Sequence, residues 1–387
     1  MFLTIVWVLL TGFIASLIIA GLLIRFESLH AGISHDHLES GPQKFHARPT
    51  PRIGGLPVAV GAVCAAIVAV QLEAVSAEFA LGFGLALLPA FGSGLLEDIT
   101  KRIGPDIRLW ASFLSALLGV LMFDAVVDRC GIPGVDVLLA WYPLALVFTM
   151  VGIGGVAHAV NIIDGYNGLA STVTCMMLAA LGSVAWQVGD TAVALTCAAL
   201  AGSTLGFLPW NFPAGRMFAG DGGAYVWGVS VALISVLLIA RNPAVSPWFP
   251  MAVLVYPVFE TLFTIYRRKL KQAAAAGLPD ARHLHQLIYR RLLFRGARFN
   301  GECADLRTLR NASTSPFLWL LASCSIVPAS LFWNQTPALI GITATFCVLY
   351  VWVYRAFATF QVPGWLWRLG DWVSSLARRY HARNTAQ

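Results

Sequence analysis

The sequence has few charged residues and no paired spacing among its cysteines. Only 12% of its 387 residues are Asp, Glu, Lys or Arg, whereas 58% are hydrophobic. A soluble domain of this length does not need so much apolar surface, so the composition excludes a soluble enzyme. The seven cysteines match neither a disulfide framework nor a zinc site, and five of them lie in apolar runs, where a thiol behaves as a small hydrophobic group.

The first apolar run lacks a basic segment in front of it. It covers residues 1–24 and is too long for a signal peptide, so we interpret it as a retained first helix. A run of about 20 apolar residues crosses a bilayer as a helix, and such runs recur along the chain. They predict an all-α polytopic membrane protein with eleven spans, at about 3–24, 54–72, 79–96, 108–123, 139–157, 169–187, 191–208, 223–240, 247–266, 316–333 and 336–354.

The basic residues predict which side of the membrane each loop occupies. Membrane proteins keep Lys and Arg mainly in cytoplasmic loops. If the N-terminus is periplasmic, 24 of the 26 Lys and Arg residues fall on the cytoplasmic side, and only Arg129 and Arg241 fall outside. We therefore attribute the net charge of +7 to these loops and not to nucleic-acid binding.

This topology predicts one integral membrane domain over residues 1–360 and a cytoplasmic amphipathic tail over 361–387. All the polar clusters that suggest chemistry fall on the predicted cytoplasmic face, whereas the periplasmic loops are short or featureless. Such an arrangement suits an enzyme that uses a cytosolic substrate. The cytoplasmic loops are expected at 25–53, 97–107, 158–168, 209–222 and 267–315.

The polar loop Asn161-Ile-Ile-Asp-Gly-Tyr-Asn-Gly168 lies between two predicted spans. Asp164 and Asn167 are spaced i, i+3, so a helical turn would put both side-chain oxygens on one side. Hard oxygen ligands of this kind suit Mg²⁺ better than zinc. The alternative is an ordinary loop with Asx turns and glycine hinges, which explains less well a polar loop so close to the membrane.

Two further clusters contain carboxylates. Glu97 and Asp98 end the third span, and they either form a charged helix end or position a metal and accept a proton. Phe218-Ala-Gly-Asp-Gly-Gly-Ala224 opens the eighth span. A glycine-rich turn before a helix presents N–H groups to a phosphate, and Asp221 within it makes a metal–diphosphate site plausible.

Two basic segments are candidates for binding anions. His46-Ala-Arg-Pro-Thr-Pro-Arg-Ile-Gly-Gly55 is either a positive flank of the second span or an entrance for a lipid phosphate or nucleotide. Asp280-Ala-Arg-His-Leu-His-Gln286 lies in the most basic loop. Its His283 and His285 are i, i+2 and would not share a helix face, so a solvated pair is the default and a phosphate or sugar contact beside Arg282 is the alternative.

Together these motifs resemble the polyprenyl-phosphate N-acetylhexosamine-1-phosphate transferases, and the O-antigen and lipopolysaccharide branch more than the peptidoglycan branch. The resemblance implies transfer of a sugar-1-phosphate from a UDP-sugar to undecaprenyl phosphate in the bacterial inner membrane, with release of UMP. It also implies Mg²⁺, with Mn²⁺ as an alternative. The matching segments occur in family order: residues 46–55, 97–98, 161–169, 211, 218–223 and 283–285.

The resemblance implies a role for each matching residue. Asp221 corresponds to the principal metal ligand. The family's usual Asp pair is Glu97-Asp98 here, and its usual Asp-x-x-Asp ends in Asn167, so Asp221 must neutralise more of the metal's charge. The implied catalytic residues are Glu97, Asp98 and Asp164, the metal ligands are Asp221 and Asn167, and the substrate-binding residues are Lys44, Arg52, Asn161, Asn211, Phe218, Arg282, His283 and His285.

Other interpretations remain open at the level of sequence. The resemblance implies UDP-N-acetylglucosamine or a 6-deoxy relative as the donor. It leaves open whether attack is direct or forms a covalent intermediate, and whether the protein is a homodimer. A phospho-N-acetylmuramoyl-pentapeptide transferase is the closest alternative, although its family members carry a longer His run. A non-catalytic lipid-binding or transport protein is supported only by Glu260, an acid inside an apolar span where ionisable groups are functional or paired.

Overall fold

The computed structural model describes residues 1–36, 49–271, 282–293 and 304–364, together with 367, 368 and 375. Two short strands, β1 (His35–Asp36) and β2 (Thr50–Pro51), pair antiparallel, and π-helical turns cover Arg267–Lys271 and Tyr289–Leu293. The α-helices are α1 (Phe2–Arg25), α2 (Glu27–Ser34), α3 (Gly55–Gln71), α4 (Ala77–Thr100), α5 (Pro105–Phe123), α6 (Pro133–Leu139), α7 (Tyr142–Ile163), α8 (Leu169–Gln187), α9 (Thr191–Asn211), α10 (Gly220–Arg241), α11 (Trp248–Val253), α12 (Val255–Tyr266), α13 (Leu284–Ile288), α14 (Ala304–Leu331) and α15 (Thr336–Ala358).

Nine helices in this described part are long and apolar enough to cross a membrane, namely α1, α4, α5, α7, α8, α9, α10, α14 and α15. The second predicted span is the shorter, 17-residue helix α3. The ninth is the pair α11 and α12, which break at Leu254 because Pro257 has no N–H to donate to the carbonyl of Val253. Each predicted span therefore coincides with helix, which confirms an all-α polytopic membrane protein.

Helix α10 is the centre of the bundle. Residues 220–239 are all buried, and the helix contacts α3, α4, α5, α7, α8 and α9. It has no charged residue between Asp221 and Arg241, so its whole length can be surrounded by apolar helices. This packing holds Asp221, in the first turn of α10, where the ends of several neighbouring helices meet.

Helix α1 packs along α9 at two glycines. A Cβ on Gly202 would lie 2.2 Å from the carbonyl oxygen of Leu9, and one on Gly206 would lie 2.2 Å from that of Phe13. Small residues four apart let two membrane helices approach closely. The sequence analysis did not single out this spacing, and the structure shows that it serves a contact within the chain.

Some residues predicted to lie in loops belong to helices instead. Glu97 and Asp98 form part of the last turn of α4, and Asn161 lies near the end of α7. The predicted loop 267–315 contains α13 and the first turns of α14, which begins at residue 304 and not near 316. The predicted ends followed the apolar runs, whereas the helices continue through polar residues that contact other segments.

Candidate active site

The glycine-rich turn before α10 packs against the segment that leads into α3. The Gly54 N–H donates to the carbonyl of Phe218 and the Gly55 N–H to that of Ala219, both at 2.9 Å. A Cβ on Gly55 would lie 2.4 Å from the nitrogen of Gly223, so only glycine allows the two backbones to approach this closely. Two motifs that are distant in the sequence are thereby joined.

Asp98 attaches the end of α4 to the same place. Its side chain is fully buried, and its two carboxylate oxygens accept the N–H groups of Asp221 and Gly222, each at 2.9 Å. The first N–H groups of a helix have no partner within that helix, and the positive end of the helix dipole favours an anion. Asp98 therefore caps α10 from a neighbouring helix and fixes the turn that carries Asp221.

Asp221 is surrounded by cationic and amide groups. Its Oδ1 accepts a hydrogen bond from Asn161 Nδ2 at 3.0 Å and lies 3.5 Å from Arg52 Nη2, and its Oδ2 pairs with Arg108. The same Arg52 nitrogen lies 3.6 Å from Asp98 Oδ1. Arg52 thus bridges two carboxylates, as expected of a planar guanidinium group.

Asp164 belongs to the same group of charges. It follows α7 and interacts electrostatically with both Arg52 and Asp98. Burial raises the pKa of Asp164 to about 7, and the positive charge of Arg52 partly opposes this rise. A divalent cation beside it would favour the ionised carboxylate. We refer to Asp98, Asp164, Asp221, Asn161, Arg52 and Arg108 as the carboxylate cluster.

Arg108 was not among the site residues predicted from the sequence. It lies in the first turn of α5, beside a loop that the sequence predicts to be cytoplasmic, and an arginine there is already explained by the preference for basic residues in such loops. Because this explanation was sufficient, the sequence offered no reason to pair Arg108 with Asp221, and no local motif identifies Arg108 as a site residue. Only the packing of α5 against α10 reveals the contact.

Glu97 faces a different partner from Asp98. Its Oε2 accepts the N–H of Ile103 at 2.7 Å, and its backbone carbonyl accepts the N–H of Lys101, the left-handed residue that ends α4. Successive residues on a helix point about 100° apart, so one carboxylate reaches α10 while the other stabilises its own loop. A proton-handling role for Glu97 stays a prediction.

Asn167 connects the loop after α7 to two other segments. Its Nδ2 donates to the carbonyl of Pro213 at 3.1 Å, and its backbone N–H donates to Asn311 Oδ1 at 2.9 Å. Ser315 of α14 donates to the Asn167 carbonyl at 2.6 Å. Asp164 and Asn167 thus have different partners despite their i, i+3 spacing, and the metal-binding role of Asn167 stays a prediction.

Asn211 and Phe218, two predicted substrate residues, are fixed by backbone contacts. Asn211 Oδ1 accepts the N–H of Gly168 at 2.6 Å, and its Nδ2 donates to the carbonyl of Met217 at 2.8 Å. Phe218 donates its N–H to the carbonyl of Pro51 at 2.9 Å. Asn211 therefore holds the end of the 164–168 loop against the segment before α10.

The rings of His283 and His285 stack with centroids 5.2 Å apart and planes 10° from parallel. The i, i+2 argument against a shared helix face does not apply here, because His283 is the extended N-cap residue and only His285 lies on α13. Both side chains are buried, so a solvated pair was also wrong. The His285 ring contacts Tyr166, and a Cβ on Gly165 would lie 3.1 Å from His285 Nε2, so the pair reaches the loop of Asp164.

Glu260 holds this histidine pair in place. It is fully buried, and its Oε1 accepts from His283 Nδ1 at 3.0 Å and from the Leu284 N–H at 3.3 Å. Its Oε2 accepts the hydroxyl of Tyr350 at 2.5 Å. The buried acid thus links α12, α13 and α15, which is the paired role expected of an ionisable group within an apolar helix.

Replacing Glu260 with Gln should raise KM for the UDP-sugar donor that the resemblance implies about tenfold, equivalent to ~1.4 kcal/mol, while kcat changes less than about threefold. Gln keeps an acceptor for Tyr350 but removes the charge that faces His283. Steady-state kinetics with a varied donor concentration would measure both constants. Tyr350→Phe is the matched variant, because it removes one hydrogen bond to Glu260 and leaves the contact with His283. Loss of kcat at unchanged KM would contradict this positioning role.

Lys44 and Arg282 are the remaining predicted substrate residues. Lys44 lies outside the described residues. Arg282 is exposed and lines a separate cavity between α12 and α15. Although it immediately precedes His283, it therefore faces different surroundings from the histidine pair.

The carboxylate cluster has oxygen ligands suited to a divalent cation. In the part of the chain that the structure describes, no three His, Cys, Asp or Glu side chains form a metal-binding group. Mg²⁺ commonly binds through one or two carboxylates together with substrate phosphates and water, so such a cage is not required. Asp221 and Asp164 supply hard oxygen ligands of the right kind, and they fit Mg²⁺ better than zinc.

Comparison with known proteins assigns the chain to a family. Residues 80–239 match the family described as glycosyl transferase family 4. A phospho-N-acetylmuramoyl-pentapeptide-transferase of Levilactobacillus brevis is 31% identical over 247 residues, which cover 59% of this chain and 74% of that protein. The chain belongs to glycosyl transferase family 4.

Other family 4 relatives have different names. A probable undecaprenyl-phosphate N-acetylglucosaminyl 1-phosphate transferase of Bacillus subtilis is 28% identical over 254 residues, covering 64% of this chain and 67% of the relative. A decaprenyl-phosphate N-acetylglucosaminephosphotransferase of Mycobacterium leprae is 28% identical over 301 residues, covering 70% and 75%. Membership of family 4 therefore establishes that the protein is a transferase, but it does not identify the sugar that is transferred.

Proposed function

We propose that this family 4 protein transfers an N-acetylhexosamine-1-phosphate from a UDP-sugar to undecaprenyl phosphate and releases UMP. The observation that carries the proposal is the carboxylate cluster at the glycine-rich start of α10, where Asp98 accepts the N–H of Asp221 and Asp164 interacts electrostatically with Asp98 and Arg52. The cluster lies at the ends of membrane-spanning helices, where a lipid phosphate and a soluble donor can meet. The polyprenyl-phosphate transferases among its relatives support the same reaction class.

The chain's own residues suit a diphosphate with a bound cation. Mg²⁺, or Mn²⁺ as the alternative, would be held by Asp221 and Asp164 and would neutralise negative charge on the diphosphate. Asn161 orients Asp221 through its 3.0 Å hydrogen bond, and Arg52 and Arg108 contribute positive charge on either side. Asp98 keeps this arrangement in place by capping α10, so we assign it a positioning role.

The transfer requires little acid–base chemistry. A phosphomonoester has a second pKa of about 6, so the acceptor phosphate is mostly a dianion at neutral pH. In direct attack, an acceptor oxygen bonds to the β-phosphorus of the donor, the bond from that phosphorus to the bridging oxygen breaks, and UMP leaves with the electron pair. Charge neutralisation and in-line placement dominate such reactions, and the cluster provides groups for both.

The histidine pair is proposed to contact the sugar. His285 lies against the loop that contains Asp164, which places it at the edge of the cluster. The short His-Leu-His segment favours a simple N-acetylhexosamine, UDP-N-acetylglucosamine or a 6-deoxy relative, over a muramyl-pentapeptide donor. The product would begin an O-antigen or another surface glycan. The protein would lie in a bacterial inner membrane, with its N-terminus in the periplasm and its active site on the cytoplasmic side.

Release of UMP by the purified protein in detergent tests the proposal. We expect UMP only when undecaprenyl phosphate, one UDP-N-acetylhexosamine and Mg²⁺ are all present, and no UMP from Asp221→Ala. The donor panel should include the UDP-muramyl-pentapeptide, whose exclusive use would move the protein to the peptidoglycan branch. Folded protein that releases no UMP with any donor would favour a non-catalytic lipid-binding or transport function.

A further inference from the structure

A cavity of ≈ 880 Å³ lies between the C-terminal halves of α12 and α15. Toward the middle of the two helices its walls are apolar, formed by Phe259, Leu262 and Val351 among others. Toward the helix ends the lining becomes basic. The arginines that line it are Arg267 at the end of α12, Arg355 in the last turn of α15, and Arg282 before α13.

Among the described residues that line the cavity, the charged ones are all arginines. The sequence from 255 to 293, to which two of them belong, has seven Lys and Arg residues but only two acids, Glu260 and Asp280. Glu260 is directed to His283 and Tyr350, and no acidic side chain is among the described residues that line the cavity. An anionic ligand would therefore complement the cavity.

One of the three arginines is buried and the other two are exposed. Arg267 is 6% exposed, and its guanidinium carbon lies 6.0 Å from the centre of the Tyr354 ring. Arg282 and Arg355 are exposed. Arginine binds phosphate oxygens through several N–H groups, so this arrangement suits a phosphate-bearing headgroup more than a diffuse surface charge.

The apolar wall continues onto the lipid-facing surface. Leu262 lines the cavity and is 57% exposed, and Tyr266, one turn further along α12, is 49% exposed. An acyl chain could follow this face of α12 while its headgroup remains beside the arginines. Basic pockets between membrane helices are known to bind anionic lipid headgroups in this way.

We propose that the cavity between α12 and α15 binds an anionic phospholipid, with the headgroup phosphate beside Arg267, Arg282 and Arg355 and an acyl chain along α12. None of the carboxylate cluster residues lines this cavity. The acceptor phosphate of the proposed transfer must reach those residues, so the structural phospholipid is the occupant that the geometry favours. A bound headgroup would join α12 and α15 to Arg282, the residue that precedes the histidine pair.

Lipid binding to the purified protein in detergent tests this proposal without requiring activity. Native mass spectrometry and thermal unfolding would compare added phosphatidylglycerol, phosphatidylcholine and undecaprenyl phosphate. We expect phosphatidylglycerol to bind and to raise Tm more than phosphatidylcholine. Arg355→Ala should weaken phosphatidylglycerol binding about fivefold, as expected from ~1 kcal/mol per arginine near an anionic lipid, and Arg355→Lys should retain most of it.

Two further variants separate the cavity from general charge effects. Arg25→Ala removes an arginine from the last turn of α1, away from the cavity, and should leave phosphatidylglycerol binding unchanged. Ala358→Trp fills the cavity without altering charge and should weaken binding as Arg355→Ala does. Equal affinity in the wild type, Arg355→Ala and Ala358→Trp would overturn the proposal. The proposal would also be overturned if Arg355→Ala weakened the binding of undecaprenyl phosphate but left the binding of phosphatidylglycerol unchanged.

Discussion

Replacing Asp221 with Asn is expected to lower the rate of UMP release about a thousandfold, equivalent to ~4 kcal/mol of transition-state stabilisation. The substitution keeps the shape of the side chain and an oxygen for the hydrogen bond from Asn161. It removes the negative charge that pairs with Arg52 and Arg108 and that would bind the cation. The rate should be measured with saturating donor and acceptor over a range of Mg²⁺ concentrations.

The matched control for this variant is Asp190→Asn at the opposite end of the bundle. Asp190 also pairs with an arginine, since its Oδ2 lies 3.2 Å from Arg241 Nε, and it caps α9 through the Val193 N–H. Asn caps a helix about as well as Asp, so the substitution mainly removes the charge that pairs with the exposed Arg241. It should cost less than about 1 kcal/mol of stability and change the rate less than about twofold. If both variants lose activity to the same extent, the effect of Asp221→Asn comes from loss of structure, and the proposed site is wrong.

Replacing Gly220 with Ala is expected to lower activity at least about a hundredfold, because a misplacement of ~1 Å in a catalytic site is enough for such a loss. Gly220 has φ +70°, and an added Cβ would lie 2.1 Å from the carbonyl oxygen of Arg52 and 2.4 Å from Asp98 Oδ2. The turn must move away from both, and it would carry Asp221 with it. The rate of UMP release and Tm should be measured on the same preparation.

The variant Gly189→Ala is a control that distinguishes the steric clash at Gly220 from backbone strain. Gly189 also has a left-handed conformation, with φ +80°, but nothing lies within 4 Å of an added Cβ. Both variants therefore share a strain of about 1–2 kcal/mol, and only Gly220→Ala forces the carboxylate cluster to rearrange. Gly189→Ala should lose stability and keep its activity. Full activity in Gly220→Ala would show that the position of this turn does not control the reaction.

The sequence was informative where a physical requirement acts locally. A membrane helix needs a continuous apolar run, so even the short α3 and the broken α11–α12 pair were predicted at the right places. The residue types at Asp98, Asp164 and Asp221 also marked them as candidates. Helix ends were less predictable, because α4, α7 and α14 continue through polar residues that look like loops.

Contacts between distant segments could not be predicted in the same way. Arg52 and Asp221 are 169 positions apart, and their 3.5 Å contact depends on how α3 and α10 pack. The functions of adjacent residues also diverge, since Asp98 caps α10 while Glu97 binds its own loop. The rotation of α4 about its axis determines which of the two acids faces α10. This rotation is set by helix packing and cannot be predicted from two neighbouring acids in the sequence.

By itself, the sequence determined that this is an all-helical membrane protein and which residue types are available for metal and phosphate chemistry. Both follow from composition and from patterns along the chain. Tertiary structure decided that Arg108 joins Asp221, that Glu260 holds His283, and that Arg282 turns toward a separate cavity. The reason is physical: the direction of a side chain depends on helix rotation and on which segments pack together, and neither is encoded in any single stretch of sequence.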